Sequence, residues 1–359
     1  MLKLKLIGVL RMRLQFIDEA KEGLILGKSI FAREGQILLK AGVELTDVYI
    51  NKLRELGVFF IYVEDERLDD VQVEDEKLTQ LKQTAMKSMS SIFLNVASGN
   101  TIELERSTND VKKMIDYILE IGDVNKSIYD IQTYDNYTFV HSIDTCIMAV
   151  FLGKTAKVNR KDLETLGIGA VLHDVGKIRV PIEILNKTEK LTDEEFKEIK
   201  KHPVYGVELL KNNYSIPDSI IKIVGQHHER IDGRGYPLGI KGPQITKFAK
   251  IVCICDVYDA VSNDRCYRKK FSLNDAYELI LSGSGSSFDR DLVEDFKNTF
   301  SIYPLGCHVK LSNNRDGYVV GQNKGFPDRP IVRCFNKNDS MYSEIDLLKN
   351  TNIVISNIM

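Results

Sequence analysis

Residues 163–177 read LETLGIGAVLHDVGK, an apolar stretch with helical spacing that runs into a histidine and an aspartate. A charged Asp174 at the end of a buried helix is costly unless it is paired or bound to a metal ion. Lys177 stands three residues further on, so it can lie on the same side of the chain as Asp174. The stretch therefore predicts a buried helix that ends in a polar, chemically active pair.

Around this stretch, the apolar residues follow helical spacing from residue 126 to residue 302, and no regular series of strands interrupts them. Helix stops are predicted at Gly153, at Pro203 and Pro217, and in the glycine-rich loop at 233–242. We therefore predict an all-helical domain at residues 126–302.

The two flanks have a different pattern. Period-two alternation, a cap at Thr46 for a helix that ends at Leu56, and an apolar closing stretch predict a small α+β domain at residues 1–66. Short alternating runs separated by Asn, Asp, Gly and Pro predict a small β-rich extension at 303–359. Residues 67–125 are predicted to form a helical linker, so the predicted fold class is mainly α.

A long helix is predicted within the linker, because apolar residues there step by three and four. Two interpretations of this stripe stay open: a helix packed on its own domain, or a signalling or dimerisation helix. The sequence SGNT at 98–101 predicts the end of the helix, and a second helix follows it. The stripe consists of Leu78, Leu81, Ala85, Met89, Ile92 and Val96.

The composition of the 359 residues is ordinary for a globular protein, with 43% hydrophobic residues and a formal net charge of −2. This balance does not point to a nucleic acid polymer or a membrane surface, and no apolar run approaches the ~18 residues of a membrane span. Six cysteines show no framework spacing, which favours reduced thiols in a cytoplasmic protein. Cys253 and Cys255 lie in an apolar segment and are predicted to be buried thiols.

Residues 226–237 read QHHERIDGRGYP, in which two adjacent histidines precede a loop with two glycines. Successive helical residues point about 100° apart, so His227 and His228 cannot share a helix face but can reach two neighbouring metal ions. Asp256 and Asp259 share a helix face further along the chain. Three more histidines of the helical domain are each, taken alone, more often core or boundary residues than ligands. These are His141, His173 and His202.

Together these side chains form a nitrogen and oxygen ligand set without thiolate, which suits iron, manganese or nickel, with zinc also possible. The set exceeds the needs of one ion, so a two-metal site is predicted. Two ions about 3.5–4 Å apart can hold a bridging hydroxide and stabilise both ends of an in-line phosphoryl displacement. Lysine and arginine side chains nearby would bind phosphate charge. The remaining histidine, His308, is predicted to be structural or exposed.

At these residues the sequence resembles the HD-GYP family of phosphodiesterases, which hydrolyse the bacterial second messenger cyclic di-GMP. The segments YTFVHS, HDVGK, KHPVYG, HHERIDGRGYP and CDVYDAVSNDRCYRK stand in the family's order. The resemblance covers about residues 126–300 and implies an all-helical HD-type catalytic domain. The flanks are similar to the small N-terminal domain and the C-terminal extension that often accompany that domain.

The resemblance implies that Asp174 bridges two metal ions and that His173, Asp174 and Lys177 are catalytic. Lys177 would stabilise the charge that develops on a phosphate oxygen, and Arg265 and Arg268 would bind phosphate. The implied metal ligands are His141, His173, Asp174, His202, His227, His228 and Asp256. The implied residues of the loop beside the nucleotide are Asp232, Gly233, Gly235, Tyr236 and Pro237.

The expected activity is hydrolysis of cyclic di-GMP to the linear dinucleotide pGpG or to GMP by a metal-bridging hydroxide. Some relatives bind a third metal through a glutamate four residues before the first metal histidine; Tyr137 stands there, so two metals are expected. The alternatives are a hydrolase of another cyclic dinucleotide, such as cyclic GMP-AMP, and a non-catalytic module that binds cyclic di-GMP. A diguanylate cyclase partner and a homodimer through the helix at 78–96 are further expectations.

Overall fold

The computed structural model describes residues 12–31, 36–68, 70–71, 75–121, 126–127, 138–187, 189–211, 216–266, 273–335 and 342–359. Its α-helices are α1 (Asp47–Glu55), α2 (Glu76–Ser98), α3 (Thr101–Ser107), α4 (Asn109–Glu120), α5 (Thr138–Thr155), α6 (Arg160–Leu172), α7 (Ile182–Leu185), α8 (Asp193–Ile199), α9 (His202–Lys211), α10 (Asp218–Gln226), α11 (Lys247–Cys266), α12 (Leu273–Ser282) and α13 (Arg290–Thr299). Its strands are β1 (Met12–Phe16), β2 (Ile30–Phe31), β3 (Ile37–Leu39), β4 (Phe60–Glu64), β5 (Lys126–Ser127), β6 (Phe300–Ser301), β7 (His308–Leu311), β8 (Asp316–Gly321), β9 (Ile331–Phe335), β10 (Tyr342–Asp346) and β11 (Ile355–Ile358).

The N-terminal part is a small α+β arrangement with an apolar core of its own. β1 pairs antiparallel with β4, and β2 pairs antiparallel with β3. The Thr46 side chain accepts a hydrogen bond from the backbone N–H of Tyr49 and caps α1, as predicted. α1 ends at Glu55, one residue before the predicted Leu56. The alternating stretch at residues 2–9 lies outside the described residues.

α2 is packed into the chain's own core, against α4 and α5. Of its stripe, only Leu81 is partly buried, while the other five residues are at most 8% exposed. Packing on its own domain is therefore the correct interpretation of the stripe. The apolar side chains of this face are already covered, and the homodimer expected through residues 78–96 stays a prediction. α2 ends at Ser98, and Gly99 adopts a left-handed conformation with φ of 68°, as the SGNT sequence predicts.

The segment predicted to be all-helical contains α5 to α13, and α6 packs against α5, α4 and α10 in its core. The predicted helix stop at Gly153 is wrong, because α5 continues through it. A Cβ at this position would come within 2.7 Å of Leu163 and Leu166, so the glycine permits close packing of α5 on α6. The prolines do mark boundaries: α9 begins one residue before Pro203, and α10 begins one residue after Pro217.

The C-terminal part is a five-stranded antiparallel sheet in the order β10-β9-β8-β7-β11, which confirms the predicted strand-rich extension. His308 stacks on the Tyr318 ring at 4.7 Å and lies 3.1 Å from Asp316, as expected of a structural histidine. Arg333 joins the sheet to the linker through two hydrogen bonds to Asp70, of 2.6 and 2.7 Å. One apolar core extends through the linker, the helical segment and this sheet, and the proposed domain boundaries stay predictions.

The fold class is therefore mainly α with small β-containing parts at both ends, as predicted. Among the described helices, none is both long enough and apolar enough to cross a membrane. The described cysteines are free, and Cys253 and Cys255 are buried, as predicted for apolar thiols.

Candidate metal and substrate site

Five helical elements bring the predicted ligands to one point in the helical segment. His141 lies on α5, His173 and Asp174 follow the end of α6, and His202 begins α9. The paired histidines 227 and 228 follow α10, and Asp256 lies on α11. The structure therefore places all seven predicted ligands together, although they are spread over more than a hundred residues of sequence.

Gly176 brings α9 to the end of α6. It lies in the 3₁₀ turn at Val175–Arg179, just after Asp174. A Cβ on Gly176 would lie 1.9 Å from the carbonyl oxygen of His202 and 2.4 Å from the backbone nitrogen of Gly206. Only glycine allows this approach, and it holds Nε2 of His202 at 3.3 Å from Oδ1 of Asp174.

The possible ligand atoms form three overlapping groups, in each of which all atoms lie within 4.8 Å of one another. Asp174 belongs to two of the groups, and His173 and His227 also belong to two each. The groups are Asp174, His202, His227 and His228; His141, His173 and Asp174; and His173, His227 and Asp256. A shared carboxylate between two ligand groups is the arrangement that a two-metal centre requires.

Three histidines are oriented by the backbone of their own helical turns. Nδ1 of His173, His202 and His227 donates to the carbonyl oxygen three residues earlier, at 2.7, 2.8 and 2.9 Å. Each ring therefore carries its proton on Nδ1 and directs the lone pair of Nε2 into the cluster. A hydrogen bond of this kind fixes the tautomer and orientation of metal-binding histidines.

Three histidines and both carboxylates of the cluster carry the charges that metal ligands need. Burial lowers the pKa of His202, of His227 and, to about 3, of His228, so all three rings are neutral near pH 7. Burial alone would raise the pKa of Asp174, but Lys177 and the neighbouring histidines hold it well below its ordinary value. Asp256 is likewise held ionised, above all by its hydrogen bond with His141. Neutral imidazoles and ionised carboxylates are the forms that bind metal ions.

Lys177 lies next to the cluster, with Nζ at 2.5 Å from Oδ2 of Asp174. Burial acts to lower the pKa of Lys177, but Asp174 raises it above its ordinary value. The ammonium group therefore keeps its charge, which suits it to bind a phosphate oxygen and not to accept a proton.

The loop that follows the paired histidines folds back over them. A Cβ on Gly235 would lie 2.5 Å from Cα of Glu229 and 2.6 Å from the carbonyl oxygen of His228, so this approach needs glycine. The Tyr236 ring then stacks on the His228 ring, with centroids 4.5 Å apart. The loop therefore lies beside the cluster, as predicted for Gly235, Tyr236 and the adjoining Pro237.

Two acidic side chains hold this loop. Asp232 accepts hydrogen bonds from the Arg230 side chain and from the backbone N–H of Arg234, which lower its pKa to about 2. Gly233 lies between Asp232 and Arg234 in the sequence, and its φ of 78° is a conformation that favours glycine. The buried carboxylate of Glu229 accepts from three successive backbone N–H groups, at 2.7, 3.2 and 3.1 Å. These are the N–H groups of Leu238, Gly239 and Ile240.

Residues 135–292 match the family model described as HD domain. This part of the chain is similar to HD domains. Its His173–Asp174 pair is the histidine–aspartate dipeptide singled out from the sequence, and the ligand cluster lies within the matched residues.

Two similar proteins are named for the hydrolysis of cyclic dinucleotides. A cyclic di-GMP phosphodiesterase of Pseudomonas aeruginosa is 32% identical over 251 residues, which are 70% of this chain and 60% of that protein. A 3'3'-cGAMP-specific phosphodiesterase of Vibrio cholerae is 28% identical over 168 residues, 47% of this chain and 36% of that protein. The chain thus spans about three fifths of the length of the Pseudomonas relative.

A solved structure has a similar fold over most of this chain. An HDG"Y"P protein from Bdellovibrio bacteriovorus matches 79% of this chain and 97% of its own, with a TM-score of 0.53 and 16% sequence identity. With the named relatives, this match confirms the resemblance to HD-GYP proteins that the motifs predict.

The donor set of the HD domain fits divalent metal ions. Nε2 of His173 and Oδ1 of Asp174 are buried, and among the described residues neither atom has a hydrogen-bond partner. Unpaired buried polar atoms that face one another are costly unless a further group satisfies them. A cation between them would do so, and the nitrogen and oxygen donors suit a transition metal.

Sequence reasoning did not assign a role to Asp259 or to Glu229. Asp259 is fully buried, and its Oδ2 lies 2.6 Å from Nδ1 of His141, whose Nε2 is directed at Asp256 at 3.0 Å. The two hydrogen bonds raise the pKa of His141 well above its ordinary value, although burial opposes them. The i,i+3 spacing of Asp256 and Asp259 was the available signal. For Glu229, the only signal was its place within HHERIDGRGYP.

Some predicted residues of the HD domain cannot be placed. Arg268 and Tyr137 lie outside the described residues, and so does the side chain of Arg265. Their predicted roles in phosphate binding and in limiting the site to two metals stay predictions.

Proposed function

We propose that this chain is a metal-dependent phosphodiesterase that hydrolyses cyclic di-GMP to pGpG or GMP. The observation that carries the proposal is the pair of ligand groups that share Asp174, one with His141 and His173, the other with three further histidines. The name of the Pseudomonas relative supports cyclic di-GMP as the substrate. Iron and manganese are the proposed metals, since the donors are nitrogen and oxygen without thiolate.

When bound, two divalent ions would polarise the phosphate and lower the pKa of the attacking water. The chain's own residues then have separate tasks. Asp174 holds the two ligand groups together, and the Nδ1 hydrogen bonds keep each Nε2 directed inward. Lys177 presents a fixed positive charge at the same point, which favours the charge that builds up on phosphate oxygens in the transition state. Arg265 and Arg268 are proposed to bind the substrate's phosphates.

A second substrate, cyclic GMP-AMP, is favoured by one observation. The Vibrio relative named for that substrate aligns with the same part of the chain, although over a smaller share of it. A module that only binds cyclic di-GMP has less support, because every ligand expected of an active site is present. The cytoplasmic location and a diguanylate cyclase partner stay predictions.

The test is hydrolysis of cyclic di-GMP, cyclic GMP-AMP and cyclic di-AMP by the purified chain. The protein is stripped of metal, reloaded with Mn²⁺, Fe²⁺, Ni²⁺ or Zn²⁺, and its metal content is measured. Products are separated by chromatography. We expect cyclic di-GMP to be turned over fastest with Mn²⁺ or Fe²⁺, and about two metal ions per chain.

The variant Asp174→Asn should lose at least about 100-fold in turnover and bind less metal, because it removes the carboxylate that both ligand groups share. Asp218→Asn is the matched control, since the Asp218 side chain is 75% exposed on α10. A fully metal-loaded wild-type chain that hydrolyses none of the three dinucleotides would refute the proposal.

A further inference from the structure

An exposed aromatic ring lies at the rim of the metal cluster. Phe196 on α8 is 48% exposed. Nζ of Lys200 lies 4.5 Å from the centroid of the Phe196 ring and 5.4 Å from that of Tyr236. Tyr236 in turn stacks on His228 of the cluster. A continuous path of rings and one ammonium group therefore leads from the cluster to the surface.

Single exposed apolar residues are common on protein surfaces and need no explanation by themselves. Phe196 differs because it is part of a group with Lys200 and Tyr236. The charge of Lys200 is also available. Nearby lysines are neutralised, Lys187 by Glu195 at 2.7 Å and Lys201 by Glu198 at 2.6 Å. Within the described residues, Lys200 has no such carboxylate partner.

We propose that Phe196 and Lys200 form a base-binding subsite that selects guanine in the substrate. This inference rests on the proposed function. A phosphodiester at the metal cluster carries its nucleoside outward, and the Phe196 ring offers a free face at the rim to which that base can stack. Stacking of a base on an aromatic side chain contributes ~1–3 kcal/mol and accepts any base.

Lys200 supplies the selection between purines. Guanine presents two hydrogen-bond acceptors, O6 and N7, on one edge, and lysine is a common partner for that edge. Adenine replaces O6 with an amino group, which is a donor and cannot pair with an ammonium group. A lysine beside the stacking ring therefore favours guanine over adenine, and it favours the guanine-containing dinucleotides over cyclic di-AMP.

Steady-state kinetics on the intact, Mn²⁺-loaded protein test the subsite with cyclic di-GMP, cyclic GMP-AMP and cyclic di-AMP. Phe196→Ala should raise KM for all three by about 5- to 100-fold, the range expected for one lost stacking contact. kcat should change less than about threefold, since the cluster is untouched. Phe326→Ala is the matched control, because Phe326 is 49% exposed in the C-terminal part.

The second variant, Lys200→Met, keeps the aliphatic stem but removes the charge. It should lower the preference for cyclic di-GMP over cyclic di-AMP, measured as the ratio of the two kcat/KM values, by about 5-fold or more. Lys197→Met, at an exposed position of α8, is its control. Metal content and circular dichroism are measured for the variant and for the control. A loss of folding in either protein would appear as reduced metal content and an altered spectrum.

The results separate the two proposals. If the wild-type chain is active and Phe196→Ala leaves KM for every dinucleotide within twofold, the subsite is refuted and the proposed function stands. If Lys200→Met retains the full preference for guanine, its selective role is refuted. If the wild-type chain hydrolyses none of them, the proposed function fails; the subsite is then judged by calorimetric Kd values for the same ligands, where an unchanged Kd in Phe196→Ala refutes it.

Discussion

At the scale of single residues, the position of His141 depends on a carboxylate behind it. Oδ2 of Asp259 lies 2.6 Å from Nδ1 of His141, and this contact keeps the proton on Nδ1 and leaves Nε2 for Asp256 or a metal. Carboxylates that support a metal-binding histidine in this way also raise its basicity.

Asp259→Asn should therefore weaken Mn²⁺ binding by about 10- to 100-fold, the usual effect of losing such a partner. The amide has the same shape, but it is uncharged and can present a donor to Nδ1. Titration calorimetry of the metal-free protein with Mn²⁺ measures the change, with Asp218→Asn as control. Equal Mn²⁺ affinity in Asp259→Asn and wild type would show that Asp259 does not support the ligand.

At the scale of elements, a buried ion pair joins α2 to α5. The side chains of Lys82 on α2 and Asp144 on α5 form a salt bridge, and the residues are 7% and 1% exposed. Asp144 lies three residues after His141, so the pair fixes the helix that carries a predicted ligand. Burial lowers the pKa of Lys82 below its ordinary value, although Asp144 acts to raise it.

Lys82→Met should lower the free energy of unfolding by about 3–5 kcal/mol, because removing one partner of a buried pair leaves the other charge in a poor environment. The double variant Lys82→Met/Asp144→Leu should cost clearly less, since no charge is then buried at the contact. Urea unfolding measures both. Lys52→Met, which breaks an exposed pair with Glu55, should cost under about 1 kcal/mol. If Lys82→Met lowered the free energy of unfolding as little as Lys52→Met does, the buried ion pair would not stabilise the contact between α2 and α5.

At the scale of the whole molecule, the cluster makes the metal-free protein sensitive to acid. The folded-state pKa values of His202, His227 and His228 lie below the ordinary value of 6.5, and that of His228 is about 3. Below about pH 6.5 the unfolded chain takes up protons at these positions and the folded chain does not. Stability therefore falls as the pH decreases through this range.

His141 does not cancel this loss. Its pKa is raised in the folded state, so its contribution is fully present below its unfolded pKa and is lost only as the pH rises through the folded value. The lowered pKa values of Asp174 and Asp256 add to the loss only at lower pH, below their ordinary value of 3.8.

We therefore expect the free energy of unfolding of the metal-free protein to decrease as the pH is lowered from about 7 to about 5. The slope is at most about 1.4 kcal/mol per pH unit for each of the three histidines. Urea titrations across this range measure it, and His228→Gln should reduce the slope. A free energy that is constant between these pH values would show that the three rings are not buried as neutral groups.

The predicted metal ligands could be identified from the sequence, but few of the residues that position them could. Each ligand stands in a local motif, such as His173–Asp174 or the paired histidines, so its identity is visible without the fold. Asp259 and Glu229 contact partners that folding brings near, and the local pattern around each of them does not identify that partner.

The same physical limit explains the errors in the fold. A period of three and four residues locates the apolar face of α2, but it does not say whether that face meets the same chain or a second copy. Gly153 was taken as a helix stop because glycine weakens helices. In the structure it lies inside α5, where the approach of α6 leaves no room for a side chain.

The stacked pair of Tyr236 and His228 has a practical consequence, because the chain contains no tryptophan. Tyr236→Trp would place the protein's sole indole against an imidazole of the predicted metal site. When that indole is excited at long wavelength, where tyrosine does not absorb, it would emit without background from the fourteen tyrosines that remain of the fifteen. A paramagnetic ion bound to the neighbouring ring would quench it, so loading of the site could be followed optically, in real time and without substrate.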